Sequence, residues 1–140
     1  MSEAARGHRS LPHTADIRLQ AWAPTREDCL AEAVAGLVDS FADTTGVAPQ
    51  WSVDTEIRAS SDEEALVAAL NEVIYLLETQ GGVPVHAEAA PIEDGLRLRL
   101  DLVPVAAVPQ CGATPKAVTL HELRFGRCDG GWACEVTVDV

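Results

Sequence analysis

A chain of 140 residues suits one domain built round one core. With 47% hydrophobic but only 4% aromatic residues, that core has to be aliphatic. A formal net charge of −12 argues against direct nucleic-acid binding, which relies on Lys and Arg clusters; it fits solubility, cation binding or docking onto a basic partner.

No apolar run approaches membrane-spanning length, and residues 1–10 lack the apolar stretch of a signal peptide. The expectation is a cytoplasmic protein: a single domain over 1–140, with a short flexible leader at 1–10. Cys29, Cys111, Cys128 and Cys134 show no C-x-x-C spacing, which disfavours zinc and thioredoxin-like chemistry. Cys128 and Cys134 flank the turn Asp129-Gly130-Gly131, where they could face each other, and are read as reduced core thiols.

In chain order, Leu11 to Trp22 alternates, with Ala15, Ile17, Leu19 and Ala21 on one side and Asp16, Arg18 and Gln20 on the other, as a half-buried strand does. Thr25 is placed to cap a first helix, with Glu27 and Asp28 in its positive first turn. Leu30, Ala33, Val34, Leu37, Val38 and Phe41 then form one apolar stripe, and 43–49 reads as a loop. A second strand alternates from Trp51 to Ala59. Ser61 with Glu64 makes a capping box for a second helix, whose inward residues are Leu66, Leu70, Val73, Ile74 and Leu77 and whose C-cap is at Gly81-Gly82. Four more strands are expected: Val83 to Ala89, a segment marked by Leu96, Leu98, Leu100 and Leu102, and a final hairpin of Lys116–Phe125 with Trp132–Val140. Pro104 to Pro115 reads as a loop. The fold class is α+β, a two-layer sandwich with two helices on one face of a mixed sheet, in the order β-α-β-α-β-β-β-β.

Chemistry is most plausible at the two ends of the chain. Asp16 lies on the polar side of the first strand. Asp139 lies on the polar side of the last, beside the carboxylate of Val140. If those strands are neighbours, the three carboxylates share a corner and repel unless a hard cation or a lysine neutralises them. Lys116 is the single lysine among ten Lys and Arg residues, a pointer to a role that the planar arginine fork does not fill. His13 and His121 suit general bases, ligands or hydrogen-bonded structural histidines. His8 and His86 show no constellation. Glu72 falls between the apolar stripe and solvent. There is no phosphate-cradling glycine loop and no nucleophile elbow.

Five segments in order resemble the archease family: His13-Thr14-Ala15-Asp16-Ile17, Phe41-Ala42-Asp43-Thr44, Leu70-Asn71-Glu72-Val73-Ile74-Tyr75-Leu76, Lys116-Ala117-Val118-Thr119-Leu120-His121 and Val138-Asp139-Val140. The resemblance covers nearly the whole chain. It implies a small accessory protein that activates an RtcB-type RNA ligase in tRNA splicing or RNA repair. Such a ligase uses GTP and a divalent metal and passes through its own guanylylated histidine; the activator promotes that guanylylation and sustains turnover. The family's functional residues fall on Asp16, Lys116 and Asp139. Asp16, Asp139 and Val140 are the expected cation site, for Ca²⁺ foremost, with Mg²⁺ or Mn²⁺ as alternatives. Lys116, His13, Asp43, Glu72 and His121 are the expected partner-contact residues. Two rival readings are a metal-dependent hydrolase using His13, Asp16, His121 and Asp139, and an acidic chaperone for nucleic-acid enzymes.

Overall fold

The computed structural model describes residues 6–12 and 16–140. Gly7–Pro12 (β1) and Asp16–Ala23 (β2) form an antiparallel pair. Helix α1, Arg26–Asp39, follows, then β3, Trp51–Arg58, and helix α2, Asp62–Gln80. The chain continues through β4, Gly82–Ile92, and β5, Gly95–Pro104, a single 3₁₀ turn at Val105–Ala107, and the closing pair β6, Ala117–Cys128, and β7, Gly131–Asp139.

The helix ends follow from their side chains. The Thr25 hydroxyl accepts from the Asp28 backbone N–H, and Ser61 does the same for Glu64. Glu64 reaches back one residue further than a capping box requires, to the N–H and hydroxyl of Ser60. Gly81 ends α2 in the left-handed region at φ 61°, where a Cβ would be strained.

The α+β class holds, and the helices do pack over strands. The expected single mixed sheet is instead two antiparallel sheets, in the orders β1-β2-β7-β6 and β3-β5-β4. Alternation of apolar and polar residues defines a strand's faces but not its partners. The β3–α2–β4 passage returns to the same sheet with β4 parallel to β3 but separated from it by β5, so no two parallel strands are paired. Helix α1 carries the chain from the four-stranded sheet to the three-stranded one and packs against both, on β2 and β4. Residues 7–10, expected in a flexible leader, belong to β1.

The core lies between helices and sheets and is aliphatic, as composition required. Leu30, Leu37, Leu66, Leu70, Leu98 and Leu100 are fully buried, and the described residues include no buried polar side chain. Cys29 and Cys134 are buried in it, and all four cysteines are free. Cys134 lies across from Phe125 and Cys128 from Gly131, so the two cysteines flanking the last turn are not cross-strand partners, and Cys128, expected in the core, is exposed because it ends an edge strand. The segment after β5 is less irregular than expected. It forms a strap on the end of α1: Asp43 N–H donates to the Pro109 carbonyl at 3.0 Å, and Cys111 N–H to the Phe41 carbonyl at 2.9 Å.

Candidate functional site at the end of the four-stranded sheet

The first and last motifs meet because β2 and β7 are central neighbours of one sheet. Their register sets Asp16 directly opposite Asp139, and on the other side of β7 Ala117 is opposite Asp139. Residues directly opposite in an antiparallel pair share a face. Leu19, Ala21 and Ala23 of β2, with Cys134, Val136 and Val138 of β7, are buried on the core face. The two aspartates therefore lie on the outer face, side by side at the end of the sheet. Asp16 is half-buried and Asp139 exposed.

Lys116 joins them through the backbone. Its N–H donates to the Asp139 carbonyl at 2.8 Å, which extends the β6–β7 ladder by one bond past Ala117. The side chain is exposed and, among the described residues, makes no ion pair. Val140 follows Asp139 and is half-buried. The next cation along the outer face, Arg18, is engaged elsewhere: it bonds Glu122 at 2.7 Å and Glu135 at 3.1 Å, while Arg124 holds the other oxygen of Glu135 at 2.9 Å. Two carboxylates thus stand at the sheet end with a mobile-stemmed lysine anchored at the adjacent strand.

The remaining expected residues are placed less tightly. His13 lies outside the described residues. Asp43 is exposed and folds onto its own turn, accepting from the Thr45 N–H at 3.0 Å; the Thr45 hydroxyl and that N–H hold its carboxyl below the usual carboxylate range. Asp43 also donates its own N–H to the strap that runs on towards Lys116. Glu72 is half-buried on α2. His121 sits in a bulge of β6, where pairing with β7 is interrupted between Thr119 and Arg124, and it faces Glu122 at 3.6 Å. Neither Glu72 nor His121 is bonded to the aspartate pair.

That bulge is a feature the sequence reading missed. Glu122 adopts φ 56°, and Leu120 stands 72% exposed on an edge strand. Its signal in the sequence was the break in alternation at Leu120-His121-Glu122-Leu123. A groove of about 530 Å³, lined by Glu63, Arg124, Gly126, Cys128 and Ala133 among others, lies at the far end of β6 and β7, away from the aspartates.

Among the described residues, no helix is long and apolar enough to cross a membrane. The model of the Archease protein family (MTH1598/TM1083) matches residues 8–140. A probable protein archease of Mycobacterium tuberculosis is 46% identical over 137 residues, covering 96% of this chain and 75% of that protein. Protein archease of Archaeoglobus fulgidus is 29% identical over 143 residues, covering 95% and 98%. Among solved structures, protein 1598 of Methanobacterium thermoautotrophicum superposes with a TM-score of 0.75 at 21% identity, over 96% of this chain and 99% of that one. An archease of Thermotoga maritima, named a possible chaperone, does so with 0.66 at 21%, over 93% and 94%. At that identity the two structures speak for the fold, and the family match and the mycobacterial relative speak for descent. This chain belongs to the archease family.

Proposed function

We propose that this protein activates an RtcB-type, GTP-dependent RNA ligase by promoting its guanylylation and turnover, and that it acts as an accessory protein without a reaction of its own. The observation that carries the reading is the register of Asp16 against Asp139, with Lys116 bonded to the same strand end. Three residues distant in sequence and matched by the family resemblance meet at one exposed tip. An exposed sheet end suits insertion into a partner's cleft better than it suits enclosing a substrate.

Asp16 and Asp139 are the residues that would hold a divalent cation, Ca²⁺ foremost and Mg²⁺ or Mn²⁺ as alternatives. Carboxylate oxygens suit such hard ions. Among the described residues, no group of three or more His, Cys, Asp or Glu side chains is disposed to hold a metal. The pair therefore fits an open site, with water, Val140 or the ligase supplying the remaining oxygens. A bound cation would stabilise developing phosphoryl charge. Lys116, which makes no ion pair among the described residues, is suited to a ligase carboxylate or a nucleotide phosphate.

The test is RNA joining by a cognate ligase under multiple turnover with GTP. Wild-type protein should accelerate it, and Asp16→Ala and Lys116→Ala, each shown folded by circular dichroism, should not. Equal acceleration by the folded variants would reject the tip as the acting site. The chaperone reading draws on the exposed Leu120 of the β6 bulge; loss of stimulation on Leu120→Ser, with the tip variants fully active, would favour it.

A further inference from the structure

His8, which shows no constellation in the sequence, is held at both ring nitrogens by carboxylates of α1. Nδ1 lies 2.9 Å from Glu32 and Nε2 lies 2.6 Å from Asp39. Carboxylates only accept, whereas a neutral imidazole has a single N–H. Both bonds form together only when the ring carries two protons and a positive charge.

The helix is shaped for this contact. Glu32, Gly36 and Asp39 fall at i, i+4 and i+7, on one face. Gly36 sits between the two acids, and a Cβ there would lie 3.1 Å from the His8 Cβ. The missing side chain lets the strand come down onto the helix and seats the ring between the acids. The two carboxylates approach opposite edges of the ring and do not converge on one point, so the arrangement suits a proton-bearing ring and not a metal ion.

We propose that the His8 imidazolium is a proton-dependent clasp that fastens the edge strand β1 to helix α1. Every charged group around it has a definite sense. Glu32 and Asp39 favour the cation. Arg6, on the same stretch of chain, opposes it through charge but shares Glu32 at 2.9 Å and reaches Asp28 at 3.6 Å, so it reinforces the same docking. On the sheet side, the partner of His8 in register is Ala21, which is apolar. The Cys29 thiol, which donates to the Ala21 carbonyl at 3.6 Å, stays neutral, because hydrogen bonding with the free Cys134 thiol and burial push its pKa far up. For His8 itself, burial is the largest single influence and works against the charge. The bonds to Glu32 and Asp39, with their charges, outweigh it and raise the pKa above the ordinary histidine value.

The sign follows. A group whose folded pKa is raised contributes stability fully below its free pKa, near 6.5, and loses it as pH rises through the folded value. The clasp is closed in mild acid and opens on the alkaline side of that window.

The test pairs an NMR titration of the His8 ring, over about pH 5 to 9, with amide-exchange protection of β1 corrected for intrinsic rates. In the wild type the ring midpoint should lie above 6.5. Protection of β1 relative to β2 should fall roughly tenfold for each unit of that elevation as the ring loses its proton. Asp39→Asn should move both midpoints down together, and His8→Gln should make β1 protection independent of pH. A ring midpoint at or below 6.5, or β1 protection that is constant while the ring titrates, would overturn the proposal.

Discussion

Asp139→Asn is expected to make the isolated protein slightly more stable while removing the tip's negative pair. Asp16 and Asp139 are direct cross-strand partners on the outer face, so their Cβ atoms are about 5 Å apart. Like charges placed this way destabilise an antiparallel pair by roughly 0.2–1 kcal/mol. The amide keeps the shape of the side chain and removes one charge from a chain already at −12. The predicted gain is about 0.5 kcal/mol at low ionic strength, shrinking in about 1 M salt, where the screening length is about 3 Å. Urea denaturation at constant slope measures it. The same curves in the presence of Ca²⁺ test the cation site. At tenfold Kd the wild type should gain about 1.4 kcal/mol, and the variant much less. A variant less stable than wild type by about 1 kcal/mol or more would refute the repulsive pair and make Asp139 a structural residue. Equal stabilisation of both proteins by Ca²⁺ would place the cation elsewhere.

Two further substitutions probe the frame that presents the tip. At Gly112 an added Cβ would lie 2.1 Å from the Ser40 carbonyl oxygen, a backbone atom that cannot turn aside. Gly112→Ala should cost about 1–3 kcal/mol and loosen the strap that leads to Lys116. The denaturation midpoint and exchange at the Cys111 amide report it, and an unchanged midpoint would contradict the strap geometry. On the three-stranded sheet, the Ser52 hydroxyl and then Arg99 hold the Asp101 carboxyl below the usual carboxylate range, against slight burial. The stability this gives is present above the ordinary pKa and lost as pH falls through the folded one. Ser52→Ala should therefore raise the Asp101 midpoint measured by NMR and lower stability at neutral pH while leaving it little changed in strong acid, which flattens the acid limb of the stability curve.

Local chemistry was readable where a side chain acts on its own neighbourhood. Thr25, Ser61 and Gly81 mark the helix ends, and the stripe from Leu30 to Phe41 is buried as its spacing requires. The meeting of Asp16 with Asp139 was readable only as a condition, because it depends on β2 and β7 being neighbours, which neither strand encodes alone. Pairing also decided what was misread. The alternation from Leu11 to Trp22 looks like one strand, yet residues 7–12 and 16–23 are two that pair with each other. The split into two sheets depends on where α1 delivers the chain. The strap at 109–111 uses backbone groups, so its Pro- and Ala-rich sequence carried no sign of order. His8 was silent because its partners, Glu32 and Asp39, lie 24 and 31 residues away.

The activator role is tested most directly by following guanylylation of a cognate RtcB-type ligase with labelled GTP, alone, with this protein, and with its Asp139→Ala variant. Strong stimulation by the wild type and none by the folded variant is the predicted result. No stimulation by the wild type, or equal stimulation by both, would contradict an activator that works through the aspartate tip.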